Sequence, residues 1–314
     1  MSARAATSRA RAAPAGGLAD LIGGRPALAA TAGAVTIAFS AILVRLADVP
    51  PSTAAIFRCA YAVPVLGLLA AWERRRFGPR TAHDMRLTLV AGVFFAIDLI
   101  CWHHAIDNVG AGLATVLGNL QVVIIPFVAW AVLREAPGRM ILAALPVVMI
   151  GVVLISGSLE QGAYGSDPAR GVLFGVLTGV SYAGYILVLR QGSSDLRRPA
   201  GPLFEATVVA AVASLVAGLA LGEAELVPTW PEHAWLATLA LTSQVLGWLL
   251  IASSLPRLPA ALTSVLLCIQ PVGSVVLGVI LLSEEPSILQ LAGAGCILAA
   301  LLGIAGRRRA QPSG

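Results

Sequence analysis

Residues 111–137 read AGLATVLGNLQVVIIPFVAWAVLREAP, and residues 260–286 read AALTSVLLCIQPVGSVVLGVILLSEEP. Laid side by side without a gap, nine of the 27 positions are identical, among them Gln121 with Gln270, Glu135 with Glu284 and Pro137 with Pro286. Matches among Ala, Leu and Val arise partly by chance in such stretches. A shared Gln and a shared L-x-E-x-P ending do not, because polar residues and Pro are scarce in segments this apolar. The copies lie five apolar runs apart. An odd number of crossings turns the second copy upside down relative to the first, so the chain reads as two inverted repeats, the plan of many secondary transporters.

Composition sets the class. Hydrophobic residues make up 58% of the chain and charged residues 12%, against about 25% charged in soluble domains. This is the balance of a polytopic membrane protein whose net charge of +5 resides in loops and orients the chain, with no nucleic-acid patch. All 21 basic residues are Arg. Without a Lys there is no P-loop, so the chain does not drive itself with ATP. Cys59, Cys101, Cys268 and Cys296 sit singly in apolar runs and read as small hydrophobes, neither disulfides nor metal ligands.

Runs of about 20 apolar residues match a hydrocarbon core roughly 30 Å thick and predict ten spans. They fall at 27–47, 51–72, 86–106, 109–133, 138–156, 170–190, 201–221, 233–253, 258–282 and 287–306. The expected organisation is a disordered basic tail (1–26), a first five-helix repeat (27–156), an extracytoplasmic loop (157–169), a second repeat (170–306) and a basic tail (307–314). A signal peptide competes for the N-terminal segment, but the run from Ala27 to Ala47 exceeds the usual h-region and completes the first repeat. Basic residues mark the cytoplasmic side. With the N-terminus inside, every Arg except Arg45, Arg58 and Arg170 falls in the tails or inner loops. Both termini are therefore expected in the cytoplasm, and the basic REAPGR loop and the acidic SEEP loop fall on opposite sides.

Ten helices in two inverted halves, closed by LREAP (133–137) and LSEEP (282–286), resemble the EamA-domain branch of the drug/metabolite transporter superfamily. The resemblance spans about residues 27–306 and is densest at 98–135 and 243–285. It implies export of small metabolites such as amino acids by a secondary mechanism, across a bacterial inner membrane, by a monomer or homodimer without cofactor or metal. Trp248 departs from the pattern, standing where similar members often carry Gln, which makes any pocket at that position more apolar.

Polar residues at membrane depth are the site candidates, because a charge at a helix centre costs about 2.5–3.5 kcal/mol on insertion scales and calls for a partner. Arg58 and Asp98 lie seven and eight residues in from the outer ends of their spans, roughly 10–12 Å deep at 1.5 Å per residue, where they can meet. They form either a substrate or proton site or a structural ion pair. His103 and His104 diverge by about 100° on a helix, so at most one faces a pathway. With His83 and His233 in loops, a bis-His haem is unavailable. An interfacial polar end beside Trp102 is the alternative for both histidines.

Aligning DLICW with QVLGW sets Asp98 opposite Gln244, and aligning FR with FE sets Arg58 opposite Glu205. Gln121 and Gln270 join this polar set, and the alternative for Glu205 is an interfacial acid near the cytoplasmic end of its span. Tyr182, Tyr185, Trp130 and Trp248 supply aromatic walls or ordinary packing. Gly171, Gly175, Gly179 and Ala183 form a small-residue ridge for a close helix neighbour. Pro64, Pro126, Pro146 and Pro271 interrupt spans and mark kinks or hinges. The candidate site is thus Arg58, Asp98, Trp102, His103, Gln121, Tyr182, Gln244, Trp248 and Gln270.

The function expected from these residues is alternating-access export of a small metabolite. A membrane-embedded enzyme or cofactor-binding subunit is the alternative, for which the sequence offers no nucleophile–base pair, HExxH or paired His. A passive channel is the third reading.

Overall fold

A computed structural model describes residues 25–133, 138–193, 195, 197–254, 258 and 266–307. The expected tails, the inner loop with Glu135, and the start of the ninth span therefore lie outside the described residues, apart from Arg25, Pro26 and Arg307. The described elements are all helical. They are α1 (Pro26–Ala47), α2 (Pro51–Phe77), α3 (Ala82–Val109), α4 (Ala111–Gly118 and Gln121–Leu133) and α5 (Arg139–Ile155), then α6 (Pro168–Gly192), α7 (Ala200–Leu221), α8 (Glu232–Ser254), α9 (Ile269–Leu282) and α10 (Ile288–Arg307). Seven are long and apolar enough to cross a membrane, while α5, α9 and α10 are shorter apolar helices.

Helix ends follow local chemistry. Pro26, Pro51 and Pro168 occupy first-turn positions that need no N–H. Thr81 accepts the Asp84 N–H at 3.1 Å and Asp167 the Arg170 N–H at 3.0 Å. α2 runs five residues past its predicted end because Trp72 and the three Arg of its last turn prolong the helix into the interface. Gly110, at φ +90°, turns the chain between α3 and α4 where an added Cβ would strike Tyr164 and Glu284.

Burial differs from that of a soluble domain. Leu68, Val216 and Ile280 are more than half exposed, whereas Arg58, Asp98 and Gln244 are buried within an otherwise apolar core. An apolar exterior, with the charged groups kept inside, suits lipid as the solvent.

The packing obeys an exchange rule. α3 packs on α6 as α8 packs on α1; α4 on α6 as α9 on α1; α2 on α8 as α7 on α3. Adding or subtracting five maps each of these contacts onto its counterpart, and α2/α7, α4/α9 and α5/α10 map onto themselves. The glycine ridge of α6 takes part directly. A Cβ on Gly171 would meet Val109 at 2.6 Å and one on Gly175 would meet Leu117 at 2.6 Å, so both glycines let α6 close onto α3 and α4. Between α5 and α10, Gly151 and Gly293 each lie against the other's carbonyl oxygen, 2.7 Å from where a Cβ would be.

Carboxylates close the ends of the self-paired helices. Both oxygens of Glu284, just past α9, accept N–H groups that open α4, from Ala111 at 2.6 Å and Gly112 at 3.2 Å. Glu73 of α2 does the same for α7, accepting from Ala200 at 3.0 Å and Gly201 at 2.9 Å. Glu223, just past α7, accepts the Ser52 hydroxyl of α2 at 2.6 Å. Each places a negative group at a helix N-terminus, whose first N–H groups lack internal partners.

Candidate functional site

Four helices lose their regular course at similar depth. α1 breaks at Phe39 between its two segments. α4 breaks at Asn119–Leu120 and α9 is preceded by a turn at Cys268. These two breaks fall on aligned positions of the internal repeat, each two residues before the shared Gln. α8 widens into a π-helical turn over Ala240–Gly247. Backbone freed at membrane depth needs new partners. In α1 the Ser243 hydroxyl donates to the Thr36 carbonyl at 3.2 Å and the Ser274 hydroxyl to the Ala38 carbonyl at 2.9 Å.

The breaks surround a central cavity of about 60 Å³. Six predicted site residues line it: Arg58, Asp98, Trp102, Tyr182, Trp248 and Gln270. Gln244 stands directly behind. The Nε of Arg58 donates to Gln244 Oε1 at 3.1 Å, and Gln244 Nε2 donates to Thr207 at 3.2 Å. The π turn of α8 carries Gln244 toward both partners. The guanidinium carbon of Arg58 lies 5.6 Å from the Trp102 ring centre. Its Nη1 is buried and has no hydrogen-bond partner.

Arg58 and Asp98 share the cavity but do not pair. Their expected meeting is corrected to this extent: among the described residues no ion pair within 4 Å joins them, because Arg58 turns to Gln244 and Trp102. Asp98, 6% exposed, presents its carboxylate to the cavity. Aromatic rings form the walls. Trp248 stands edge-on to Tyr182 at 6.1 Å and to Tyr185 at 5.5 Å, while Tyr185 stacks on Phe95 at 4.5 Å.

Other candidates land elsewhere. His103 is fully buried, with Nδ1 3.0 Å from the Pro51 carbonyl at the start of α2 and Nε2 unpartnered; it does not line the cavity. His104 points away, pairing with Glu223 at 3.4 Å and stacking on Phe174. Gln121 is buried next to Tyr182 without lining the cavity. Trp130 is 52% exposed, so it faces outward and forms no wall. Glu205 leaves the midplane set, because it is bound to Arg80 and Thr88 near the start of α7. Ser40, Thr115, Asn119 and Thr178 line the cavity without having been predicted. Asn119 alone had a readable signal, as the residue aligned with Cys268 just ahead of the repeated Gln.

A cation with a spare donor and a separate carboxylate, set between aromatic faces, can hold a small molecule that carries both charges. Comparison with known proteins agrees in class. The EamA-like transporter family matches residues 25–157 and again 169–306, nearly the whole chain in two copies. One solved structure, titled only as the crystal structure of a protein, is similar in fold, with a TM-score of 0.57 at 16% identity over 94% of this chain and 99% of that one. No curated protein matches significantly. The chain belongs to the EamA-like transporter family, one family repeat in each half, and is a multi-pass membrane transporter of small molecules.

Proposed function

We propose that this transporter exports a small zwitterionic metabolite, an amino acid or related compound, across the cell membrane by alternating access. In this reading ten spans form two inverted halves with both termini in the cytoplasm. The observation that carries the substrate class is the unpaired arrangement of Arg58 and Asp98 around one cavity. Arg58 Nη1 takes the substrate carboxylate and Asp98 its ammonium group. Asp98 holds either that cation or a proton, so loading one excludes the other. Exchange of the two on a single carboxylate couples export to proton entry.

At about 60 Å³ the cavity is contracted, holding a few waters at most. Loading requires the broken helices α1, α4 and α9 to part.

Flux of labelled amino acids in proteoliposomes tests the reading. Saturable transport that accelerates with an opposing proton gradient is expected, whereas flux rising linearly with concentration would identify a channel. Topology is tested separately. Tags at residues 165 and 226 are expected to react from outside and tags at 80 and 195 only from inside. Residues 80 and 165 on one side would end the inverted-repeat argument.

A further inference from the structure

A second, larger cavity of about 460 Å³ lies at the other pole of the bundle from Glu284, between the last turns of α2, the link at 78–80 and the first turns of α7. It is amphipathic along its length. From Gly78 at the mouth to Gly67 at the floor is eleven residues of chain, most of them helical, or roughly 16 Å at 1.5 Å per residue. The floor is apolar: Gly67, Ala70 and Ala71 face the Phe204 ring, which lies 3.1 Å from where a Gly67 side chain would begin. The mouth is cationic, with Arg74, Arg80 and Arg198.

Internal bonding uses two of these three Arg and leaves one over. Glu73 spends both oxygens on the backbone N–H groups of α7. Glu205 is held by Arg80 and Thr88. Arg198 is tied to Asp195 at 3.0 Å and to the Gly78 carbonyl at 2.7 Å. The Arg74 side chain makes no hydrogen bond or ion pair among the described residues, and Arg75 and Arg76 follow it in the same turn. Met85, 42% exposed, also lines this cavity, and Trp72, 37% exposed, lies in the same turn of α2 as Glu73 and Arg74. Trp is a residue type at home where lipid meets water.

We propose that this cavity binds one anionic phospholipid, with the phosphate at Arg74 and an acyl chain laid on Gly67 and Phe204. A basic pocket between helices at the end of a bundle fits an anionic headgroup, and the apolar depth below it fits a chain rather than a soluble anion. The proposal is independent of the substrate site.

Native mass spectrometry of the full-length protein titrated with phosphatidylglycerol or phosphatidylcholine tests it. Preferential retention of phosphatidylglycerol is expected. Arg74→Gln should reduce that preference about fivefold, the factor that one basic contact to an anionic surface supplies, with an unchanged melting temperature in the absence of lipid. Gly67→Leu, which fills the floor, should weaken phosphatidylglycerol retention while leaving Arg74 in place. Equal retention of the two lipids, or an Arg74→Gln protein indistinguishable from the parent, would overturn the proposal. So would inorganic phosphate raising the melting temperature as much as phosphatidylglycerol, which would identify a soluble-anion site.

Discussion

Arg58→Gln is expected to lower metabolite flux in proteoliposomes by about 100-fold, the upper range for loss of one charged hydrogen bond. It is also expected to cost about 1.5–3 kcal/mol of stability, because the charged hydrogen bond from Arg58 Nε to Gln244 and the contact with Trp102 are lost. Asp98→Asn should lose flux to a similar degree without that cost, since no ion pair within 4 Å is broken and the desolvation of a buried charge is relieved. The asymmetry comes from the geometry: Arg58 is held by Gln244 and Trp102, and Asp98 faces the cavity. The double variant Arg58→Met with Asp98→Leu should fold and fail to transport. Melting in detergent and flux for both singles and the double separate the outcomes. Full transport by the double would remove both residues from the site.

Glu284→Ala is expected to produce the largest loss of stability, about 2–6 kcal/mol. Two N–H groups, of Ala111 and Gly112, would be left without acceptors in a buried place, at roughly 1–3 kcal/mol for each unsatisfied group. Glu284 is itself 3% exposed, so water does not readily replace it. Glu284→Gln keeps one acceptor and should fall in between. Thermal melting of the two variants beside the parent measures the effect; an Ala variant that melts with the parent would show that the α9–α4 closure rests on packing alone.

Much of this was readable from the sequence because the repeat is spelled in polar letters. The Gln121/Gln270 match and the Glu–Pro ending set the two copies in register, whereas the breaks in α4 and ahead of α9, and the seat of Glu284 on the start of α4, emerged only in the structure. Axial height was legible as well, since 1.5 Å per residue put Arg58 and Asp98 at one level. Azimuth was not. Which face of α2 carries Arg58 depends on helices far along the chain, and the π turn that brings Gln244 to Arg58 leaves no periodicity to read. Ser40 was missed for a related reason: small hydroxyl residues also satisfy their own helix backbone, as Ser40 does with the Ile37 carbonyl at 2.7 Å. His103 misled because its depth suits a pathway while its ring is tied to the start of α2.

The exchange rule in the packing bears on what counts as a unit of this molecule. α6, the first helix of the second repeat, closes onto α3 and α4 of the first, and α1 closes onto α8 and α9 of the second. The two repeats are swapped partners joined in one chain, each lending its opening helix to the other. The hydroxyls of Ser243 and Ser274 bind α1 to its adopted neighbours at the broken carbonyls. The bodies able to move as wholes therefore do not coincide with the stretches of sequence that repeat, and neither five-helix stretch completes a core without the arm of its twin.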